Sequence, residues 1–117
     1  MSAFAPISSP SQVPWGAKAF GGSLGEDRAT WAACDATALV MEGRRQSAIL
    51  IDQGLADQGL ADKVLERELR PEIFETTCRL HGQPLVLRRH AGHDHGYFFV
   101  STFADDHLRH HARGLAA

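Results

Sequence analysis

Cysteine is scarce. Cys34 and Cys78 are the only two in 117 residues, and they are not closely spaced. That excludes a disulfide-built scaffold and reads as two reduced thiols in a cytosolic protein. An excess of one charge is also lacking, since 12 Lys and Arg face 14 Asp and Glu for a formal net charge of -2. The pairs Arg44-Arg45 and Arg88-Arg89 are too short to build a basic patch, so neither nucleic acid nor an anionic membrane surface is an expected partner. No run approaches the ~20 apolar residues that span a bilayer. The first seven residues lack the basic start and long apolar run of a signal peptide, so the expected location is the cytoplasm.

What is present is ordinary globular composition, 44% apolar and 22% charged. The length predicts one domain, residues 1–117, which buries roughly two-thirds of its unfolded surface. Residues 2–7 read as a short buried strand running into a Ser/Pro loop. Short helices are predicted over 14–20, 28–33 and 36–41, with Asp27 and Asp35 as caps of the last two. Residues 47–52 form an apolar run without alternation, as in a strand buried on both faces. Residues 63–81 read as helical, with Pro71 kinking the segment or starting a second helix and Gly82 ending it. A third strand is predicted over 84–89 and a last helix over 97–114, whose polar face carries Asp105, Asp106, Arg109, His110 and Arg113. Strands alternating with helices imply a parallel sheet, about three strands with crossover helices. One short repeat stands out: Gln53-Gly54-Leu55-Ala56-Asp57 is followed at once by an identical copy, residues 58–62.

Ligands and catalysis in such sheets sit beyond the carboxyl ends of the strands. The second strand runs into Asp52, Asp57 and Asp62, and the third into His93, Asp94 and His95. An acid after one strand and a histidine after the next is the tail of the chain order Ser, Asp, His. The acid would hold the imidazole's Nδ1–H, and the other ring nitrogen would take a serine proton. On spacing alone, a turn-forming Asp and a solvated His are the commoner reading. A literal G-x-S-x-G occurs at Gly21-Gly22-Ser23-Leu24-Gly25, but Pro14 to Phe20 do not read as the preceding strand the motif needs, so a glycine loop is the plainer reading. His90, His93, Asp94 and His95, with His107, His110 and His111, offer ligand types that suit zinc; a solvated polar helix face gives the terminal spacing too. Cys78, mid-helix among apolar neighbours, reads as a buried structural thiol, and Cys34 beside a cap as inert.

Five segments together carry a family resemblance: Ser2-Ala3-Phe4-Ala5-Pro6-Ile7, Pro14-Trp15-Gly16-x-Lys18-Ala19-Phe20, Ile49-Leu50-Ile51-Asp52-Gln53-Gly54, Leu87-Arg88-Arg89-His90-Ala91-Gly92-x-Asp94-His95 and Phe103-x-x-Asp106-His107-Leu108-x-His110-His111. In order, and over essentially the whole chain, they resemble the S-formylglutathione hydrolases of the esterase D family. The resemblance implies the C-terminal portion of an α/β-hydrolase fold. It implies hydrolysis of the small-molecule thioester S-formylglutathione to glutathione and formate in formaldehyde detoxification, with no metal or organic cofactor. It implies a serine nucleophile, with His95 as the triad histidine and the acid at the Asp that closes the pentapeptide.

Three departures bear on that expectation. The family's nucleophile elbow and oxyanion loop lie upstream of the segment matching Met1 onward, so Ser23 is not the family's nucleophile. His93 stands where the family has tyrosine. The duplicated pentapeptide makes the acid ambiguous: counted from the strand it is Asp57, counted back from the helix it is Asp62. Absorbing five residues within the helix would turn its apolar face by roughly a third of a turn, at about 3.6 residues per turn. Lengthening a surface loop costs roughly a few tenths of a kcal/mol. Asp62 is therefore taken as the acid, with Asp57 as the alternate. The expected function is that of a thioesterase fragment, inactive alone because no acyl-enzyme forms without the nucleophile. The alternative is a non-catalytic module that self-associates through an exposed sheet edge.

Overall fold

The computed structural model describes residues 1–55, 67–93 and 96–116. Three strands, β1 (Ser2–Phe4), β2 (Ile49–Leu55) and β3 (Leu85–Ala91), form one parallel sheet in the order β1-β2-β3. The helices are α1 (Pro14–Leu24), α2 (Arg28–Ala32), α3 (Ala36–Met41), α4 (Pro71–His81) and α5 (Tyr97–Ala116). A single 3-10 turn, Pro10–Gln12, precedes α1.

β2 is the central strand, and residues 49 to 53 are all buried, as its unbroken apolar run predicts. Side chains alternate across a strand, so each face has its own packing. Ile49 and Ile51 meet Val40 of α3 and Phe74 and Cys78 of α4, with Ala3, Leu85 and Leu87 at the margin. On the other face Phe4 and Ala5 pack with Leu69, Phe99 and Phe103, the last two from α5.

Several local expectations hold. Asp27 accepts from the Ala29 N–H and Asp35 from the Ala38 N–H, each satisfying an orphan donor of a helix start. Gly82 ends α4 in the left-handed conformation that glycine alone adopts without strain. Pro71 starts a new helix: residues 67–69 are helical, and Arg70 breaks the run at φ 40.

Three expectations are corrected. β1 stops at Phe4 instead of reaching Ile7, because Ala5 turns to φ 43 and Pro6 has no N–H to continue the ladder. β2 and β3 extend further than their apolar runs, to Leu55 and Ala91. α1 does not end at Phe20; it continues through Gly21, Gly22 and Ser23, and the chain leaves it at Gly25. The Trp31 indole, packed edge-on against Phe20 at 5.7 Å and donating to the Gly25 carbonyl at 2.8 Å, holds this glycine-rich turn in place. On α5 the helically spaced Phe99 and Phe103 lie toward the core with His107, whereas Leu108 and Leu115 are exposed.

Buried acids secure the segments around the sheet. Glu68 accepts from the Trp15 N–H at 2.8 Å, placing a carboxylate at the positive end of α1. Asp35 accepts from Ser11 N as well as Ala38 N, which ties the loop after β1 to α3. Cys78 is buried, and burial raises its thiol to about 11 against the opposing charge of Arg45. Cys34 is exposed.

Candidate active site

β2 and β3 pair in register to their last residues, Gly54 with His90 and Leu55 with Ala91. Two segments therefore leave from adjacent carboxyl ends of a parallel pair, one leading to Asp57 and Asp62, the other to His95. Asp57, Asp62, Asp94 and His95 themselves lie outside the described residues.

Just inside those strand ends is an ionic cluster centred on Asp52. The expectation that β2 ends at Asp52 is corrected: the residue lies inside the strand, opposite Arg88, and is fully buried. Arg88 donates from Nε to Oδ1 at 2.6 Å and from Nη2 to Oδ2 at 2.7 Å. His90, two residues further along β3 and so on the same face, donates from Nε2 to Oδ1 at 2.7 Å. His107 of α5 donates from Nε2 to Oδ2 at 2.8 Å. Four donors fill the roughly four acceptor sites of a carboxylate. The lengths are those of charge-assisted bonds.

Burial pushes the Asp52 carboxyl up, but the hydrogen bonds from Arg88, His90 and His107 outweigh it and bring the group from its ordinary 3.8 down to about 2. The bond to Asp52 raises the Arg88 guanidinium in turn, against its own burial. Arg88 also reaches Asp106 of α5 at 3.0 Å. A carboxylate this fully engaged has no lone pair to offer a reacting group, so Asp52 is a structural anchor rather than a base.

Aromatic rings fix the two imidazoles. Phe4 stacks on His107 at 3.9 Å and 18°, and Phe103 stacks on His90 at 3.8 Å and 19°. His107 Nδ1 is buried without a partner among the described residues. An unpaired lone pair is tolerated there better than an unpaired N–H, so the ring proton belongs on Nε2, facing Asp52. His93 stacks on Phe98 at 5.4 Å and 11° and lies 5.1 Å from Phe103. Beside this aromatic group an apolar cavity of about 370 Å³ is lined by Phe4, Ala5, Gly96, Tyr97, Phe99 and Val100. Gly96 directly follows His95.

The remaining candidates separate from this centre. Ser23 sits exposed in the last turn of α1, a helix that follows a loop and not a strand, so its G-x-S-x-G lacks the elbow geometry; it is not in a glycine loop either. The histidines expected on a solvated face or as ligands divide. His107 is buried on Asp52, His110 donates to the Met1 carbonyl at 3.1 Å, and His111 Nε2 pairs with Ser2 Oγ at 2.9 Å. Among the described residues no three His, Cys, Asp or Glu converge as a metal site. No helix among them is long and apolar enough to cross a membrane.

The roles of Arg88, His90 and His107 escaped the sequence reading. A usable signal existed: an Asp inside a run buried on both faces must be neutralised, and Arg88-x-His90 puts two donors on one face of the next strand.

A three-stranded parallel sheet with helices on both faces is the α/β class, and the arrangement is that of part of an α/β-hydrolase fold. The Esterase family model matches residues 1–110, and the chain belongs to that family. It is 47% identical over 116 residues to an S-formylglutathione hydrolase of Arabidopsis thaliana, a match covering 98% of this chain and 39% of that protein. A solved structure of an S-formylglutathione hydrolase from Agrobacterium tumefaciens superposes with a TM-score of 0.85 at 47% identity, over 96% of this chain and 39% of that one. The chain thus spans about two-fifths of the length of these relatives.

Proposed function

We propose that residues 1–117 are one portion of an α/β-hydrolase domain and supply two members of a serine-hydrolase triad, His95 as the base and Asp62 as the acid that orients it, with Asp57 as the alternate. The substrate is a small-molecule thioester, S-formylglutathione, and the products are glutathione and formate. The observation that carries this reading is the in-register parallel pairing of β2 and β3 up to Leu55 and Ala91, which starts the acid and histidine segments side by side. The likeness to two S-formylglutathione hydrolases supports the substrate. The chemistry is divided as in any such triad: the acid holds Nδ1–H, and Nε2 takes the nucleophile's proton and returns it to the leaving thiolate.

No serine in the described chain stands on a strand-to-helix elbow, so the chain alone does not form an acyl-enzyme. The test is a chimera: the Arabidopsis thaliana enzyme with its matching stretch replaced by this chain. The chimera hydrolyses S-formylglutathione, His95→Ala lowers its kcat by roughly 10⁴–10⁶-fold to a residual rate, and the 117-residue chain by itself leaves p-nitrophenyl acetate untouched. A folded but inactive chimera contradicts the proposal, as does a chimera indifferent to His95→Ala.

A second reading rests on β1, which among the described residues has a neighbour only on its β2 side. An unpaired strand edge is a template for another chain, here a second copy. Sedimentation that shows a concentration-independent monomer contradicts it.

A further inference from the structure

We infer that the groove between the amino-terminal halves of β2 and β3 and the second half of α5 binds a small organic anion, a carboxylate carrying a short hydrocarbon chain. The inference is independent of the acid–histidine reading. It rests on the chemistry of the groove's floor and walls.

The groove has a volume of about 320 Å³, at the small end of ligand pockets. Its floor is apolar and consists of Ala48, Leu50 and Val86. Leu50 and Val86 are partners in the β2–β3 register, and Val86 is left half exposed. The floor lies five residues before Leu55, the end of β2, or about 16 Å at roughly 3.3 Å per residue. The walls are cationic. Arg88 rises from β3, and Arg109 and Arg113 stand one turn apart on α5. Asp106 is the one carboxylate among the described lining residues, and it is shared between Arg88 at 3.0 Å and Arg109 at 3.3 Å. Arg109 thereby uses one of its five N–H donors. Arg113 makes no ion pair among the described residues.

Folding explains only part of this. A helix C-terminus favours a cation in its last turn, which is the place of Arg113. Like charges one turn apart cost stability, so the dipole does not account for Arg109 beside it. The chain as a whole carries a net charge of -2, so the excess of guanidinium is local. Guanidinium pairs with carboxylate through two parallel N–H bonds, and the apolar floor takes hydrocarbon. A bare inorganic anion would leave the floor uncovered. A neutral apolar molecule would leave the arginine donors unmatched.

The experiment titrates the isotopically labelled 117-residue chain with three probes and reads backbone amide shifts. The probes are hexanoate, its neutral isostere hexanamide, and acetate, which keeps the charge and lacks the chain. Hexanoate is expected to give saturating shifts at Leu50, Val86, Arg109 and Arg113, with a Kd on the order of 1 mM for a ligand of this size. Hexanamide and acetate are each expected to bind about tenfold more weakly. Arg109→Gln and Arg113→Gln, at exposed positions, are each expected to weaken hexanoate by about fivefold with the remaining resonances in place. Hexanoate shifts that do not saturate, or that fall elsewhere, overturn the proposal. Hexanamide binding as tightly as hexanoate overturns it, because the groove would then be an apolar patch. Acetate binding as tightly overturns it as well, because the floor would then contribute nothing. Hexanoate binding unchanged in both arginine variants contradicts the role of the walls. Shifts at the same residues when the unliganded chain is diluted would show a second copy in the groove and overturn the small-molecule reading.

Discussion

Arg88 lies directly opposite Asp52 in the β2–β3 register and closes on both oxygens of its carboxylate, at 2.6 and 2.7 Å. The pair is the most consequential polar contact in the described structure, because Asp52 is fully buried and three of its four donors come from β3. Removing one partner of such a pair leaves the other charged and unmatched. Asp52→Asn is expected to destabilise the fold by about 3–5 kcal/mol, read from urea unfolding. A loss under about 1 kcal/mol would put Asp52 in the class of exposed ion pairs and contradict its anchoring role.

The same group sets an acid limit. Its folded pKa, about 2, lies below the ordinary 3.8, so the folded state favours the ionised form. The contribution to stability is therefore full above the unfolded value and is lost as pH falls through about 2. The shift corresponds to about 2 kcal/mol. Glu75, lowered by its hydrogen bonds from Arg89, acts with the same sign. The difference in unfolding free energy between wild type and Asp52→Asn is expected to shrink between pH 4 and pH 2. A difference that is constant over this window contradicts the linkage.

The two thiols are expected to behave oppositely toward a disulfide reagent. Cys34 is exposed, whereas Cys78 is buried and held up near 11 by that burial. Thiolate is the reacting species, so Cys34 reacts in the native chain and Cys78 only as the chain unfolds. Rapid reaction of both in the absence of denaturant contradicts the packing of α4 on β2.

Two glycines in α1 give opposite signs. A Cβ on Gly16 would sit 2.1 Å from the Pro10 carbonyl oxygen, so Gly16→Ala must displace backbone. It is expected to destabilise by about 1–3 kcal/mol. A Cβ on Gly22 meets nothing within 4 Å, and alanine is the better helix former. Gly22→Ala is expected to stabilise by about 0.5–1 kcal/mol. Thermal unfolding midpoints decide both, and a destabilised Gly22→Ala would contradict the extension of α1 past Phe20.

These glycines also show where the sequence is legible. Pro14 as a helix start, the Asp27 and Asp35 caps, the Gly82 stop and the double-sided burial of β2 are local rules written in adjacent residues, and the structure follows them. Gly21 and Gly22 were read as loop from intrinsic propensity, but Phe20 and Trp31 pack across the turn and override it. The face of α5 is legible only in part: the spacing of Phe99 and Phe103 marks its apolar section. Further along, Leu108 and Leu115 are exposed, because the surface this helix meets presents a carboxylate, and a buried carboxylate selects His107. Hydrophobic pattern is blind to a polar partner that lies 55 residues away in sequence. The adjacency of the β2 and β3 carboxyl ends was legible because consecutive parallel strands joined by a crossover helix tend to pair in one sheet. The anchoring of Asp52 was not, since its three side-chain partners lie on two later elements.

The proposed function requires that His95 and a pentapeptide acid work as one unit on S-formylglutathione. Its most direct test is a double-mutant cycle on kcat in the chimera, with His95→Ala and Asp62→Asn made singly and together, and Asp57→Asn run in parallel. Groups that act as a unit lose their contributions together, so the double variant is expected to be no slower than His95→Ala alone. Asp57→Asn is expected to leave kcat near that of the unsubstituted chimera. Losses from Asp62→Asn and His95→Ala that multiply in the double variant would show two independent effects and contradict the claim.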